Sequence, residues 1–443
     1  MFKDFLFAND DYSIRINDAW IIFSYWRYVP GRKVCFKSNA SRLHLSLNGL
    51  QIHVYNRVQR YKEIAKLFRM EQIFGDDAEV KKQLPTDSAA PSAYWDRIWS
   101  LVGVIKLDIW SGRIVVGNRM LPYMLVVSLE NMNSKVRLRE SVADRALLSV
   151  EGQAESVRAD FLKHPDYEGT PYKDPPRTMG DGFAVLQSAL LHFFYHQDIL
   201  GYVTVDQQSI TSQRPVWESI WRFDHNTVIS YGPWAEHHRA LLYNFFFPSD
   251  YQTVMPDELP IRGKRRIHIM HDVRISLLKE TAVDIWFMRG DQLESVHSRC
   301  QPGSTIDMSI WWITKEDGFS WSLHTSLLRL ESTSSLPYRK LLEAETFSVD
   351  AEFHYPRVFN AKQKWDFKFS LTKCCCWLVW DHQRFVTDLL NEFLGDTTSD
   401  LVTFIPYTVA IDFDVTDSFE VIFMLNLLPS GSFHIRSGNS SPK

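Results

Sequence analysis

Apolar and polar side chains alternate with a period of two over many separate stretches of this chain, the pattern of strands with one buried and one wet face. Leu43, Leu45 and Leu47 share one side of residues 42–48, and Ile105, Leu107 and Ile109 one side of residues 104–109. Val283, Ile285 and Phe287 oppose Asp284, while Ile306, Met308, Ile310 and Trp312 oppose Asp307 and Ser309. The cleanest stretch, residues 346–355, sets Phe347, Val349, Ala351, Phe353 and Tyr355 against Ser348, Asp350, Glu352 and His354. Trp365, Phe367, Phe369 and Leu371 repeat the pattern, as do Val409, Ile411, Phe413 and Val415. Half-buried antiparallel strands follow, about 18 to 22 of them at ordinary strand and loop lengths. Laid side by side at about 4.8 Å, 20 such strands would reach at most about 100 Å.

Turn and helix signals punctuate the strands. Asn48-Gly49 predicts a tight hairpin turn, because both residues tolerate positive φ. Ser111-Gly112 and Gly117-Asn118 predict turns on either side of residues 113–116. Three-and-four spacing of apolar residues predicts amphipathic helices over residues 57–70, 235–246 and 384–395, each with one apolar stripe to lay on the sheet. Residues 75–93 and 164–176 read as loops and residues 429–443 as a disordered tail. The expected organisation is one group of strands over residues 1–230 and another over 231–428.

Composition strengthens the β assignment. Of 443 residues, 45% are hydrophobic and only 23% charged, enough for a sizeable core. Aromatics reach 14%, with 29 Phe, 17 Tyr and 15 Trp, and these side chains favour pleated, half-buried surfaces. A net charge of −4 argues against a nucleic-acid binder. The basic cluster Arg262, Lys264, Arg265 and Arg266 reads as a solvated turn before it reads as a headgroup site. Cys35, Cys300 and the run Cys374, Cys375 and Cys376 make no even-numbered framework, which suits a reducing, cytosolic setting. No cleavable signal is visible, and the longest apolar runs fall far short of the roughly 20 residues of a membrane-spanning helix.

A search for catalytic chemistry finds no phosphate-binding loop, metalloprotease helix or nucleophile elbow. The glycines of residues 179–183 predict a bend before a strand that starts at Phe183. His192 and His196 lie in a predicted strand, where four residues separate them by roughly 13 Å, too far for one metal. His237 and His238 are adjacent on a predicted helix and diverge. The carboxylate pairs Asp10-Asp11, Asp76-Asp77 and Glu316-Asp317 fall at predicted turns. The expectation is therefore a protein that is not an enzyme and carries no metal site and no cofactor.

Residues 230–251 are the most idiosyncratic stretch: a turn at Gly232-Pro233, a short helix, then three phenylalanines before a proline. Here the chain resembles the bridge-like lipid transfer proteins of the Tweek type, in their N-terminal portion. The resemblance is carried by Tyr231, Gly232, Pro233, Trp234 and Ala235 with Phe245, Phe246, Phe247 and Pro248. It extends in order through Ser13 to Ile16, Asn48-Gly49, His53 to Arg57, Ser111 to Arg113, Gly117-Asn118, residues 177–187, Tyr338-Arg339, Leu341 to Glu345, Tyr355 to Arg357, Thr387 to Leu389 and Pro406 to Thr408. It implies an elongated antiparallel β-groove, a half-pipe of repeating β-groove modules with a few short helices, whose apolar concave face takes glycerophospholipid tails. It further implies phospholipids as partners and a place at endoplasmic reticulum membrane contact sites, with protein partners unspecified. Members open with a membrane-spanning helix and continue far beyond the length of this chain, so the chain is expected to be a fragment or short form and to be cytosolic on its own.

If the groove is real, its lining is the alternating set Leu43, Leu45, Leu47, Ile105, Leu107, Ile109, Val283, Ile285, Phe287, Ile306, Met308, Ile310, Phe347, Val349, Phe353, Phe367, Phe369, Val409, Ile411 and Phe413. Periodicity alone is also met by a closed β-sandwich, which would bury the same faces against a second sheet. A scaffold module that binds proteins through its β-surface is the second functional reading, and a carbohydrate-binding β-protein with tryptophan platforms the third.

Overall fold

A computed structural model of the chain describes residues 1–23, 41–56, 104–141, 145–168, 182–203, 216–246, 270–311, 318–356, 363–399, 407–415 and 419–423. The described residues form 20 strands, all in one sheet, and two helices. The sheet opens with β1 (Phe2–Ala8), β2 (Tyr12–Phe23), β3 (Ser41–Asn48) and β4 (Leu50–Val54). A meander follows: β5 (Val104–Val116), β6 (Tyr123–Ser141), β7 (Arg145–Lys163), β8 (Gly182–Val203), β9 (Trp217–Asp224) and β10 (Thr227–Tyr231). Helix α1 (Pro233–Phe246) leads out of it. The second meander is β11 (Met270–Leu277), β12 (Thr281–Arg289), β13 (Gln292–Cys300), β14 (Ser304–Trp311), β15 (Gly318–Ser334), β16 (Lys340–Pro356), β17 (Gln363–Thr372) and β18 (Cys374–Leu378). Helix α2 (Trp380–Ser399) then precedes β19 (Tyr407–Val415) and β20 (Phe419–Phe423).

Pairing shows that consecutive short strands are halves of single lines. β2 pairs antiparallel with both β3 and β4, and β5 runs parallel to both. The same holds for β9 with β10, β11 with β12, β13 with β14, β17 with β18, and β19 with β20. Six lines are thus broken in two, and the 20 strands occupy fourteen lines. At about 4.8 Å per line the sheet extends about 65 Å, well below the 100 Å expected when every strand is given its own line. Each meander is five antiparallel lines. Where one meander meets the next, the join is parallel, because the chain leaves one rim and must return to the opposite rim before it can start again. The antiparallel expectation therefore holds within meanders and fails at the three joins.

The breaks fall on one seam that crosses the whole sheet. Asp4, Gly49, Asn131, Ser156, His225, Asn226, Gly303, Arg329 and Lys373 all have positive φ and lie at or beside matching register positions. Among the described residues with positive φ, Gly290 alone lies elsewhere, in the β12–β13 hairpin. One additional residue per line flips the side-chain alternation, as in a β-bulge. Accordingly Ile16 joins Ala19, Leu47 joins Leu50, and Leu129 joins Met132 in one cluster, and Ala154 joins Val157 in another, each three residues apart. Because neighbouring lines bend together, pairing survives on both sides while the sheet folds along the seam.

Burial identifies the concave side. Ala154, Leu277 and Cys300 are each 1% exposed although a single layer of sheet carries them. Side chains on one layer become that buried where the layer closes over them. Gly49 and Ser111-Gly112 thus sit on the bend inside continuous lines, not in the hairpin and turn their residue types predict. The same tolerance for positive φ serves a bend as readily as a turn. Gly117-Asn118 does end β5.

Both helices lie on the concave side of one wall. α1 buries Trp234, Ala235 and Leu242 against Tyr123, Phe161 and Phe183. α2 places Phe385 and Leu389 on Ile285, Phe287 and Val296, and Arg289 holds Asp388 at 2.8 Å. α2 starts and ends about four residues outside its sequence-predicted span, and α1 starts two residues early, at Pro233, a residue suited to the first helical turn. Phe385 is fully buried with its ring 5.0 Å from that of Phe287. Phe385→Ala should cost about 3–5 kcal/mol and release α2, read as rapid amide exchange over residues 380–392 with β12 still protected. The predicted helix 57–70, the loop 75–93, most of the loop 164–176, the basic cluster 262–266, Cys35, Phe247, Pro248 and the tail 429–443 lie outside the described residues.

Candidate functional site: the open concave wall

Across the seam from the helices, the concave wall carries an apolar surface with no described protein over it. Register places Leu43, Leu45 and Leu47 beside Ile105, Leu107 and Ile109, residue against residue. In the second meander Ile306, Met308 and Ile310 lie in the same rows as Leu323, Val349, Phe353, Phe367 and Phe369. Val409, Ile411 and Phe413 continue the backbone register opposite Trp365, Phe367 and Phe369. Between the two groups, Val150, Leu191, Phe193, Trp221, Phe223, Val273 and Ile275 complete the surface. Most of these residues are half-buried, and Trp221 is 41% exposed. An apolar wall this wide and this open calls for a covering.

Of the sequence-predicted lining, Val283, Ile285 and Phe287 fall apart from the rest. They sit on β12, across the seam, and Ile285 and Phe287 lie under α2. Residues of β8 and β9 were missed by the sequence reading. Phe193 and Trp221 face each other there, but residues 191–196 mix aromatics and histidines on both faces, so alternation is hard to see. His192 and His196 are on the opposite, convex face of β8, as strand spacing requires. His237 and His238 are buried beneath α1, and the His238 ring lies 4.3 Å from that of Tyr123. Among the described residues no group of three or more candidate metal ligands occurs.

The convex face is polar and cross-linked. Asp108 accepts from Lys106 at 2.9 Å and contacts His44. Arg274 pairs with Asp307 at 2.7 Å, His297 with Asp284 at 2.8 Å, and His324 contacts Asp350. Such half-exposed pairs are worth little individually. Their role is to keep this face wet while the other stays apolar. Among the cysteines, Cys374 and Cys376 share a face with their sulfurs 3.6 Å apart, and burial pushes the Cys374 thiol up to about 12.

The motif of residues 231–234 organises the helix-covered wall. Gly232 is required because a Cβ there would lie 2.0 Å from the carbonyl oxygen of Trp286 on the neighbouring line. Its own carbonyl accepts from Glu236 N at 3.0 Å, so it caps α1. Tyr231 donates to Glu236, which also takes Arg239 Nε at 2.7 Å. Burial and the adjacent carboxylate push the Tyr231 hydroxyl well above its ordinary range, while Arg239 more than offsets burial and holds Glu236 below the usual carboxylate value. Trp234 packs its ring edge-on to Tyr123, Phe161 and Phe183. Phe245 and Phe246 close the helix onto the same cluster.

Residues 1–428 match the sequence model of a family described as the BLTP1-like family N-terminal region. The chain belongs to the BLTP1-like family. Bridge-like lipid transfer protein family member 1 of Danio rerio is 31% identical over 435 residues, covering 92% of this chain and 9% of that protein. The Homo sapiens protein of the same name is 28% identical over 440 residues, again 92% and 9%. Protein CSF1 of Saccharomyces cerevisiae is 22% identical over 210 residues, 43% of this chain and 7% of its own length. The chain therefore spans about a tenth of the length of the BLTP1-like relatives it matches. Among the described residues, no helix is long and apolar enough to cross a membrane.

Proposed function

We propose that this chain is a segment of a lipid-conducting groove, whose open concave wall holds the acyl tails of glycerophospholipids. The observation that carries the reading is the apolar face that runs in register from β3 to β17 without described protein on it. Membership in a family whose relatives are named as lipid transfer proteins supplies the occupant. Each methylene removed from water contributes about 0.8 kcal/mol, so partial contact of a tail suffices for binding. Successive rows are chemically alike, so a tail leaves one set of contacts for an equivalent set and can slide along the wall. In the longer protein, such a segment serves non-vesicular lipid transfer at endoplasmic reticulum contact sites, the membranes being reached through other parts. At about 65 Å the segment holds lipid and contributes length to a bridge.

Purified chain should carry phospholipid, detected by solvent extraction and mass spectrometry in near-stoichiometric or higher amounts. Lipid-free protein that also takes up none from phosphatidylcholine vesicles would overturn the proposal.

A further inference from the structure

Across the second meander the open wall carries its indole rings, Trp321 and Trp365, near the rim. One row of paired positions near the rim runs Trp217, His271, Ile310, Trp321, Phe353 and Trp365. Its rings touch across the strands: Trp217 stacks on His271 at 4.3 Å, Trp321 on Phe353 at 4.0 Å, and Phe353 meets Trp365 edge-on at 5.7 Å. The seam positions of the same lines carry Phe223, Leu277, Leu327 and Leu371, side chains without a polar edge.

The first part of the row is also the polar part of this wall. Trp217 Nε1 donates to the Tyr195 hydroxyl at 3.0 Å, and Tyr195 donates to Gln197 Oε1 at 3.0 Å. Ser219 Oγ and His271 Nε2 are hydrogen bonded at 2.8 Å, and burial holds the His271 imidazole below its ordinary value. Rings with an apolar body and a polar edge gather where hydrocarbon meets water, as tryptophan and tyrosine do at the two faces of a bilayer.

The wall between row and seam is deep enough for acyl tails. Trp321 stands about eight residues from the seam at Arg329, so roughly 26 Å of strand lies between row and seam. Half of a bilayer hydrocarbon core is about 15 Å, the depth one set of acyl tails fills.

We propose that this aromatic row is the interfacial rail of the groove, holding the glycerol-ester region of a diacyl phospholipid while the tails point towards the seam. The inference rests on the lipid-groove reading and adds an orientation to it. Lipids then move along the wall with their polar ends at rim height, passing from one ring to the next, and the hydrogen-bonding group at Tyr195, Gln197 and Trp217 marks the join between the two meanders.

The test uses the purified chain loaded from vesicles of phosphatidylcholine that carries a photoactivated diazirine either on the headgroup beside the phosphate or at the end of one acyl chain. Cross-linked residues are mapped by peptide mass spectrometry. The headgroup probe should label Trp321, Phe353, Trp365 and their immediate neighbours. The tail-end probe should label the seam around Leu327 and Leu371. In a Trp321→Leu/Trp365→Leu variant, headgroup labelling at these lines should fall about fivefold relative to tail-end labelling per bound lipid. Uniform or inverted labelling by the two probes would overturn the rail while leaving lipid binding intact. Absence of labelling by both probes would overturn the groove reading itself.

Discussion

Met308→Asp combined with Phe367→Asp should lower phospholipid bound per chain by at least about a hundredfold, with the fold retained. Both side chains lie on the open wall, half-buried, Met308 between Val273 and Leu323 and Phe367 beside Ala351. With lipid in the groove, each carboxylate must lose water beneath an acyl tail or become protonated, at a cost of several kcal/mol. Without lipid the same carboxylates face solvent, and the sheet loses only cross-strand contacts worth about 0.2–1 kcal/mol each. Ser348→Asp on the convex face of the adjoining line, between Ser326 and Ser370, should change lipid content by less than twofold. Extraction and mass spectrometry, with thermal melting as the fold control, decide the outcome. Equal loss of lipid from the convex variant, or unfolding of the concave one, would show that the apolar wall is a core and not a binding surface.

A second large effect, on stability, is expected at Gly232. Gly232→Ala puts a methyl carbon 2.0 Å from the Trp286 carbonyl oxygen and 3.1 Å from its carbon, both backbone atoms of a paired line. Relief requires β10 or the start of α1 to move, and with α1 go Trp234 and the fully buried Ala235. A loss of about 3 kcal/mol or more follows from overpacking. Gly290→Ala is the matched control: its φ is +61° but its would-be methyl meets open space, so about 1 kcal/mol is expected. Chemical denaturation of the two variants side by side, with exchange protection of α1 as a local readout, checks the contrast. Equal losses would remove the close approach as the reason for glycine at this position.

Much of the open wall was legible because alternation is local. The inward residues of residues 42–48, 104–109, 304–311 and 346–354 were assigned to one surface by period alone, and registers set them side by side. Ile285 and Phe287 show the limit. Their alternation is as clean as any other, yet α2 lies on them, because period two states which residues share a face and not what lies above it. The seam was invisible for a related reason. Arg329 and Lys373 are residues seldom chosen for positive φ, and the three-residue spacing from Leu327 to Leu330 or from Leu371 to Cys374 reads locally as a lapse in the pattern. Its meaning appears only when neighbouring lines place their lapses at one register.

The sequence by itself therefore determined that this protein is a β-sheet with an apolar and a polar face, where about half of its strands and both described helices lie, and, through the residue 231–248 motif and its companions, its family. Tertiary structure decided the rest: that short strands fuse into longer lines, that the lines bend together along one seam, and that one wall is covered by helices while the other is open. Alternation is fixed by backbone geometry within a few residues, whereas bending, covering and openness depend on contacts between residues far apart in the chain, which no local pattern encodes.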